Sequence, residues 1–137
     1  MKNHTVVLKS RGEEFAALQQ ALVLFGFEAG YSAGFISTLE LTFKEAFLNA
    51  VMHGNHENES LPVTVSLNAE SGGNLLEVTF RDCGPGFQPD DLPDPTTPDR
   101  LHITSGRGVH LIRSYAEIAD ARADASGFSL TLRYVPC

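Results

Sequence analysis

Apolar and polar positions alternate, group and break along the chain in a way that marks out strands and helices in turn. His4 to Lys9 alternates around Val6, Val7 and Leu8 and predicts a short edge strand, which Arg11 and Gly12 break. From Glu13, the spacing of Phe15, Leu18, Leu22 and Phe25 predicts a first helix. Glu13 and Glu14 lie in its first turn, where they complement the helix dipole, and Gly26 and Gly30 fray its end. Ser32 is placed to cap a second helix, and Ile36, Leu39, Phe43, Phe47 and Ala50 recur three and four apart as its buried stripe. This helix is expected to run to about His53 and to stop at Gly54 and Asn55. Val63, Val65 and Leu67 alternate with Thr64 and Ser66, and Leu76, Val78 and Phe80 with Glu77 and Thr79. With Glu70 to Asn74 between them, the two runs predict an antiparallel hairpin.

Beyond the hairpin the apolar period is lost. Gln88 to Ser105 is rich in proline and aspartate and predicts a loop, and one of that length inside a compact domain is usually functional. Val109, Leu111, Ile112, Tyr115 and Ala116 then resume helical spacing. Ile118 to Ala125 is a weak strand, Ser126-Gly127 a turn, and Phe128, Leu130, Leu132 and Tyr134 a clear final strand. Segregated helices with antiparallel strand pairs predict an α+β two-layer sandwich, and no repeat or linker divides residues 1–137, so one domain is expected.

Composition narrows the function. At 137 residues and 42% hydrophobic, the chain can bury a core for one domain. Its formal net charge of -7 lacks the basic face that general nucleic-acid binding requires. Cys83 and Cys137 form no disulfide framework, and the five histidines show no metal-ligand spacing. There is no signal-type N-terminus, and the apolar run Ala21 to Phe27 is too short to span a bilayer, so a cytoplasmic protein without a membrane association is expected.

Three groups of residues could carry chemistry. Glu45, Asn49 and His53 fall four apart along a second stripe of the second helix. There the Asn49 oxygen could ligate a hard cation and Glu45 accept a proton, or the stripe could be a solvated face. Asp82-Cys83-Gly84-Pro85-Gly86-Phe87 ends a strand in an acid and two glycines. It is either a plain turn or a place where a flat ligand approaches the backbone and gives an amine hydrogen bond to the carboxylate. Gly106-Arg107-Gly108 opens the third helix, as a hinge or as an anion site of free N–H groups. Neither a Walker-type loop nor a dinucleotide-fold glycine pattern is present.

In this order and combination the three groups resemble the GHKL ATPase superfamily, and within it the small anti-sigma-factor serine kinases of bacteria. The motif E-x-x-x-N-A-x-x-H-G is matched by Glu45 to Gly54, D-x-G-x-G-F by Asp82 to Phe87, and G-x-G with a following apolar residue by Gly106 to Val109. The resemblance implies a Bergerat-type fold, a mixed and mostly antiparallel sheet covered on one face by helices, with ATP between the helical layer and the loop acting as a lid. It implies Asn49 as the Mg²⁺ ligand and Glu45 as general base. Asp82 would contact the adenine amine, Gly84 and Gly86 would let the base lie close, and Gly106 with Gly108 would wrap the phosphates. Arg107 could pair with the terminal phosphate or be solvated. His53 is expected to pack or hydrogen-bond under the sheet, while Lys44, His110 and Arg113 are expected at the surface. The family's last strand usually begins Gly-Thr, with the hydroxyl helping to bind adenine. Here Gly127-Phe128-Ser129 stands there, so Ser129 substitutes or the contact is lost.

By resemblance, then, the protein is expected to be an ATP-dependent serine/threonine kinase. Its substrate would be an anti-anti-sigma (STAS-type) protein, and it would regulate a sigma factor by partner switching, without touching nucleic acid. The alternative is a nucleotide-binding regulatory module without significant kinase activity. A histidine-kinase ATP-binding domain is a third reading, against which stands the lack of a preceding dimerisation helix pair in these residues. Family members often form homodimers, and the exposed first strand offers an edge for pairing.

Overall fold

A computed structural model describes residues 2–70, 74–84 and 104–136, with backbone alone for 104–109. Strand β1 (Lys2–Lys9) leads through a 3₁₀ turn (Gly12–Glu14) into helix α1 (Phe15–Ala29) and helix α2 (Ala33–Asn49), which passes into a π-helical turn (Ala50–Gly54). Strands β2 (Pro62–Ala69) and β3 (Leu76–Asp82), helix α3 (Thr104–Tyr115), and strands β4 (Glu117–Asp124) and β5 (Gly127–Tyr134) complete the order. The sheet runs β1-β2-β3-β5-β4, and all four pairings are antiparallel. No parallel pair occurs among the described strands, so the sheet is antiparallel rather than mixed.

One face of this sheet is apolar and carries the helices. Val63, Val65 and Leu67 of β2, Leu76, Val78 and Phe80 of β3, and Phe128, Leu130, Leu132 and Tyr134 of β5 are buried against α1 and α2. The predicted α2 stripe Ile36, Leu39, Phe43, Phe47 and Ala50 is buried throughout. Burying a large apolar side chain fully is worth about 1.5–3 kcal/mol, so this stripe is the main reason α2 holds its place. Phe43 meets Phe80 edge-on at 5.2 Å, and the Thr42 hydroxyl meets the buried Tyr134 hydroxyl at 2.6 Å while also bonding the Thr38 carbonyl at 2.9 Å.

Helix ends follow local chemistry. Ser32 Oγ accepts the Phe35 N–H at 3.1 Å and caps α2. Helix α1 ends at Gly30, where Tyr31 N donates to Gly26 O at 2.9 Å. Gly26 does not fray this helix. It is buried against Ile36, whose Cγ1 would lie 2.7 Å from an added Cβ, so a missing side chain lets α1 approach α2.

The opposite sheet face is polar. Arg81 bonds Asp124 through both carboxylate oxygens, Arg133 pairs with Glu77 at 2.8 Å, and Thr79 meets Thr131 at 3.0 Å. Both edges, β1 and β4, are only partly buried, and β4 carries an irregularity between Ile118 and Asp120. Among the described residues, no helix is long and apolar enough to cross a membrane.

Candidate functional site

The first two motifs meet where α2 ends. Asn55 N donates to Ala50 O at 2.8 Å, the five-residue spacing of a π turn. The turn delivers Gly54 against the end of β3, where a Cβ on Gly54 would lie 2.3 Å from Asp82 Oδ2. A Cβ on Gly84 would lie 2.0 Å from the Gly54 carbonyl oxygen, and one on Gly127 equally close to the Asp82 carbonyl. Three backbone segments therefore crowd around one acid, at distances no side chain would permit. Gly127 also has φ near +149°, which a larger residue rarely adopts.

Asp82 is 5% exposed, and its Oδ1 accepts the Gly84 N–H at 2.8 Å. Burial pushes its carboxyl above the usual carboxylate range, opposed by the Gly84 hydrogen bond and the nearby Arg81 charge. An acid held at this cost is suited to a ligand donor, such as an exocyclic amine, that restores the hydrogen bonds lost with water.

Asn49 is the last residue of α2, immediately before the π turn, and is 6% exposed. Its Nδ2 is buried with no partner among the described residues. A buried amide is normally paired. Turning the carboxamide over would place its oxygen in the same position, so the group fits a hard cation that brings its own waters and takes few protein ligands. No three His, Cys, Asp or Glu side chains gather as a metal cluster among the described residues. Glu45 is half-buried one turn earlier, and Lys44 is exposed.

His53 corrects an expectation. It is exposed rather than packed under the sheet, because the wider π turn takes position 53 out of line with Glu45 and Asn49. For Ser129 the strand register bears on the two alternatives. Arg81 faces Ser129 and Asp82 faces Phe128 across the β3–β5 ladder, so Ser129 lies on the polar face, bonded by Arg81 Nη1 at 2.6 Å. Asp82 lies on the other face. Phe128, 2% exposed, occupies the strand position beside it, and Ser129 brings no hydroxyl there.

Gly106 and Gly108 lie in the opening turns of α3, which begins two residues ahead of Gly106 at Thr104 and packs against α2. The Arg107 side chain, Gly86 and the lid expected over Phe87 to Ser105, up to residue 103, lie outside the described residues. His110 and Arg113 are exposed, as expected. Neither Asn55 nor Ser10 stands out in the sequence as a site residue, yet both are buried and bonded to each other at 2.8 Å. The only sequence signal for Asn55 is its place directly after the H-G of the helix motif, where an asparagine also reads as a helix stop.

Solved structures share this architecture. The RsbU and RsbW domains of Rv1364c from Mycobacterium tuberculosis match with a TM-score of 0.63 and 15% identity, over 99% of this chain and 33% of that one. The histidine kinase domain of a blue-light activated histidine kinase from Erythrobacter litoralis matches with a TM-score of 0.54 and 20% identity, over 90% of this chain and 60% of that one. A further structure of that kinase matches with a TM-score of 0.56 and 20% identity, over 90% of this chain and 41% of that one. The chain thus spans less than two thirds of each of these relatives. No curated protein matches it. The family model for the histidine kinase-like ATPase domain matches residues 8–134, nearly the whole of the fold and every described part of the site, and the chain belongs to that family.

Proposed function

We propose that the protein is an ATP-dependent serine/threonine kinase of the anti-sigma-factor type, acting on an anti-anti-sigma (STAS-type) partner and so controlling a sigma factor. Membership of an ATPase family implies ATP binding. The observation that carries the reading is the meeting of Gly54, Asp82 and Gly84, close after a buried Asn49 whose amide lacks a partner among the described residues. It agrees with the likeness to a structure containing an RsbW domain.

In this reading Asp82 accepts the adenine amine, and Gly84 leaves the base room to approach. Asn49 would hold Mg²⁺, which when bound neutralises charge on the phosphates. Gly106 and Gly108 would keep the start of α3 clear for the phosphates, with Arg107 beside them. Glu45 takes the proton of the partner's Ser or Thr hydroxyl as its oxygen bonds the γ-phosphorus and the bond to the departing ADP breaks. A homodimer and a cytoplasmic location belong to the same proposal.

Phe128 favours a second reading, a nucleotide-binding regulatory module without significant turnover, because no hydroxyl stands beside Asp82 at that strand position. Calorimetric titration with ATP, with and without Mg²⁺, followed by phosphate transfer to a STAS-type partner, separates the two. Asn49→Ala is expected to abolish Mg²⁺-dependent binding, and Glu45→Gln to keep ATP binding while losing transfer. Normal Mg-ATP binding by Asn49→Ala would refute the site, and binding without transfer by the unsubstituted protein would leave the module.

A further inference from the structure

Asn55 has no role in the reading above, yet its buried side chain is bonded on every side. It is 2% exposed. Its Nδ2 donates to Ser10 Oγ at 2.8 Å, to Pro62 O at 3.0 Å and, more weakly, to Leu61 O at 3.3 Å, while its Oδ1 accepts the Cys83 N–H at 2.7 Å. Ser10 Oγ in turn donates to Leu61 O at 2.5 Å. The partners come from the exit of β1, the entrance of β2 and the exit of β3.

The last of these bonds bears on Asp82. The β3–β5 ladder ends at the Asp82 and Phe128 pair, so Cys83 is the first residue beyond sheet support. Asn55 supplies a partner for the Cys83 N–H there. The adjoining residue, Gly54, packs on the Asp82 carboxylate and on Gly84. One end of the π turn therefore touches the acid while its next residue holds the backbone that carries the acid.

We propose that Asn55 is a positioning residue for base recognition: by anchoring Cys83 to the β1 and β2 termini, it fixes the Asp82 carboxylate and Gly84 against the sheet and sets selectivity for adenine, whose amine stands where guanine has a carbonyl oxygen. The proposal rests on the nucleotide reading above. A purely structural asparagine would support the fold without affecting which base is bound.

The test uses the full chain, unsubstituted and as Asn55→Ala, Asn55→Asp and Ser10→Ala, and reads three quantities. These are hydrogen exchange at the Cys83 amide, thermal stability, and calorimetric affinities for Mg-ATP, Mg-GTP and magnesium tripolyphosphate. Asn55→Asp keeps an acceptor for Cys83 but turns a carboxylate toward the Leu61 and Pro62 carbonyls, so it is expected to lose stability yet keep ATP preference. Ser10→Ala removes one acceptor of Nδ2 and is expected to do the same. Asn55→Ala is expected to expose the Cys83 amide and to lower the preference for ATP over GTP about tenfold, the scale of one lost hydrogen bond, with tripolyphosphate affinity unchanged. Equal loss for all three ligands, or an unchanged preference once the Cys83 amide is exposed, would overturn the proposal while leaving the nucleotide site standing. If Asn55→Ala does not fold, the proposal falls should Asn55→Asp protect Cys83 and still lose the preference. An unsubstituted protein that binds no ATP would overturn the nucleotide reading and this proposal together, and one that binds ATP and GTP alike would overturn this proposal alone.

Discussion

Replacing Gly84 by alanine would test the crowding around Asp82 directly. The new Cβ would lie 2.0 Å from the Gly54 carbonyl oxygen and 2.5 Å from its carbon, both backbone atoms that cannot swing aside. Restoring an ordinary contact near 3.4 Å requires an opening of about 1.4 Å. Such a shift would break the Gly84 N–H bond to Asp82 Oδ1, now 2.8 Å, or the Cys83 bond to Asn55, now 2.7 Å. Overpacking costs about 1–3 kcal/mol and a hydrogen bond to a charged group about 1.5–3 kcal/mol; partial relaxation puts the combined loss near 2–4 kcal/mol. For a chain of 137 residues this lowers Tm by about 7–14 °C. ATP affinity should fall about tenfold or more, because a carboxylate displaced this far no longer reaches a base amine. Scanning calorimetry and ATP titration give both numbers. Gly34→Ala is the control: nothing lies within 4 Å of its added Cβ, and in the first turn of α2 alanine should raise stability by up to about 0.5 kcal/mol. A Gly84→Ala protein with unchanged Tm and unchanged ATP affinity would refute the crowding argument.

Other perturbations follow from the same geometry. The folded state binds the Asp82 proton more tightly than the unfolded chain, so stability should fall as pH rises above the ordinary value of 3.8 toward the raised one. Asp82→Asn should remove this fall, making the nucleotide-free protein more stable at neutral pH while weakening ATP binding; a less stable variant in pH-dependent denaturation would contradict this. Asp124 behaves oppositely, because hydrogen bonds from Arg81 and Ser126 hold its carboxyl down to about 2. Its contribution is present above 3.8 and lost as pH falls through about 2, so Asp124→Asn should flatten the acid limb of a Tm-against-pH curve. Thr42→Val strands the buried Tyr134 hydroxyl and should cost about 1–3 kcal/mol, whereas Tyr134→Phe leaves Thr42 bonded to the Thr38 carbonyl and should cost about 0.5–1.5 kcal/mol. Urea denaturation giving the reverse order would count against this pairing.

Much of the fold can be read directly from local periodicity. The α2 stripe, the β2–β3 hairpin and β5 are each specified by their own alternation of apolar residues, which works wherever one face of an element is buried. Asp82 and Gly84 are legible for a related reason, since an acid and glycines directly after an alternating strand mark where a strand hands over to a site. The unread parts depend on distant partners. Asn55 looks like a helix stop until Ser10, 45 residues away, and Cys83, 28 residues away, are seen bonded to it. Ser129 falls on the face away from Asp82 because strand alternation reverses with a one-residue choice of register, and only the pairing with Arg81 decides it. For His53, an α-helical period puts the side chain in line with Asn49, but the chain abandons that period at Ala50.

That departure at Ala50 sets a limit on how this segment can change length. A π turn holds one residue more than the helix it interrupts, and it survives here because Gly54 and Asn55 are engaged at the end of β3. Deleting a single residue between Ala50 and Gly54 would let the α-helix run on without a break, a local improvement in its hydrogen bonding. Because His53 is exposed, the deletion could fall there without emptying any packed position. Five residues of π turn cover about the rotation and rise of four α-helical ones, so Gly54 and Asn55 would keep close to their present places beside Asp82. The segment can therefore lose one exposed residue and keep its anchor, whereas a second deletion would turn both residues by about 100° around the helix axis and release the acid.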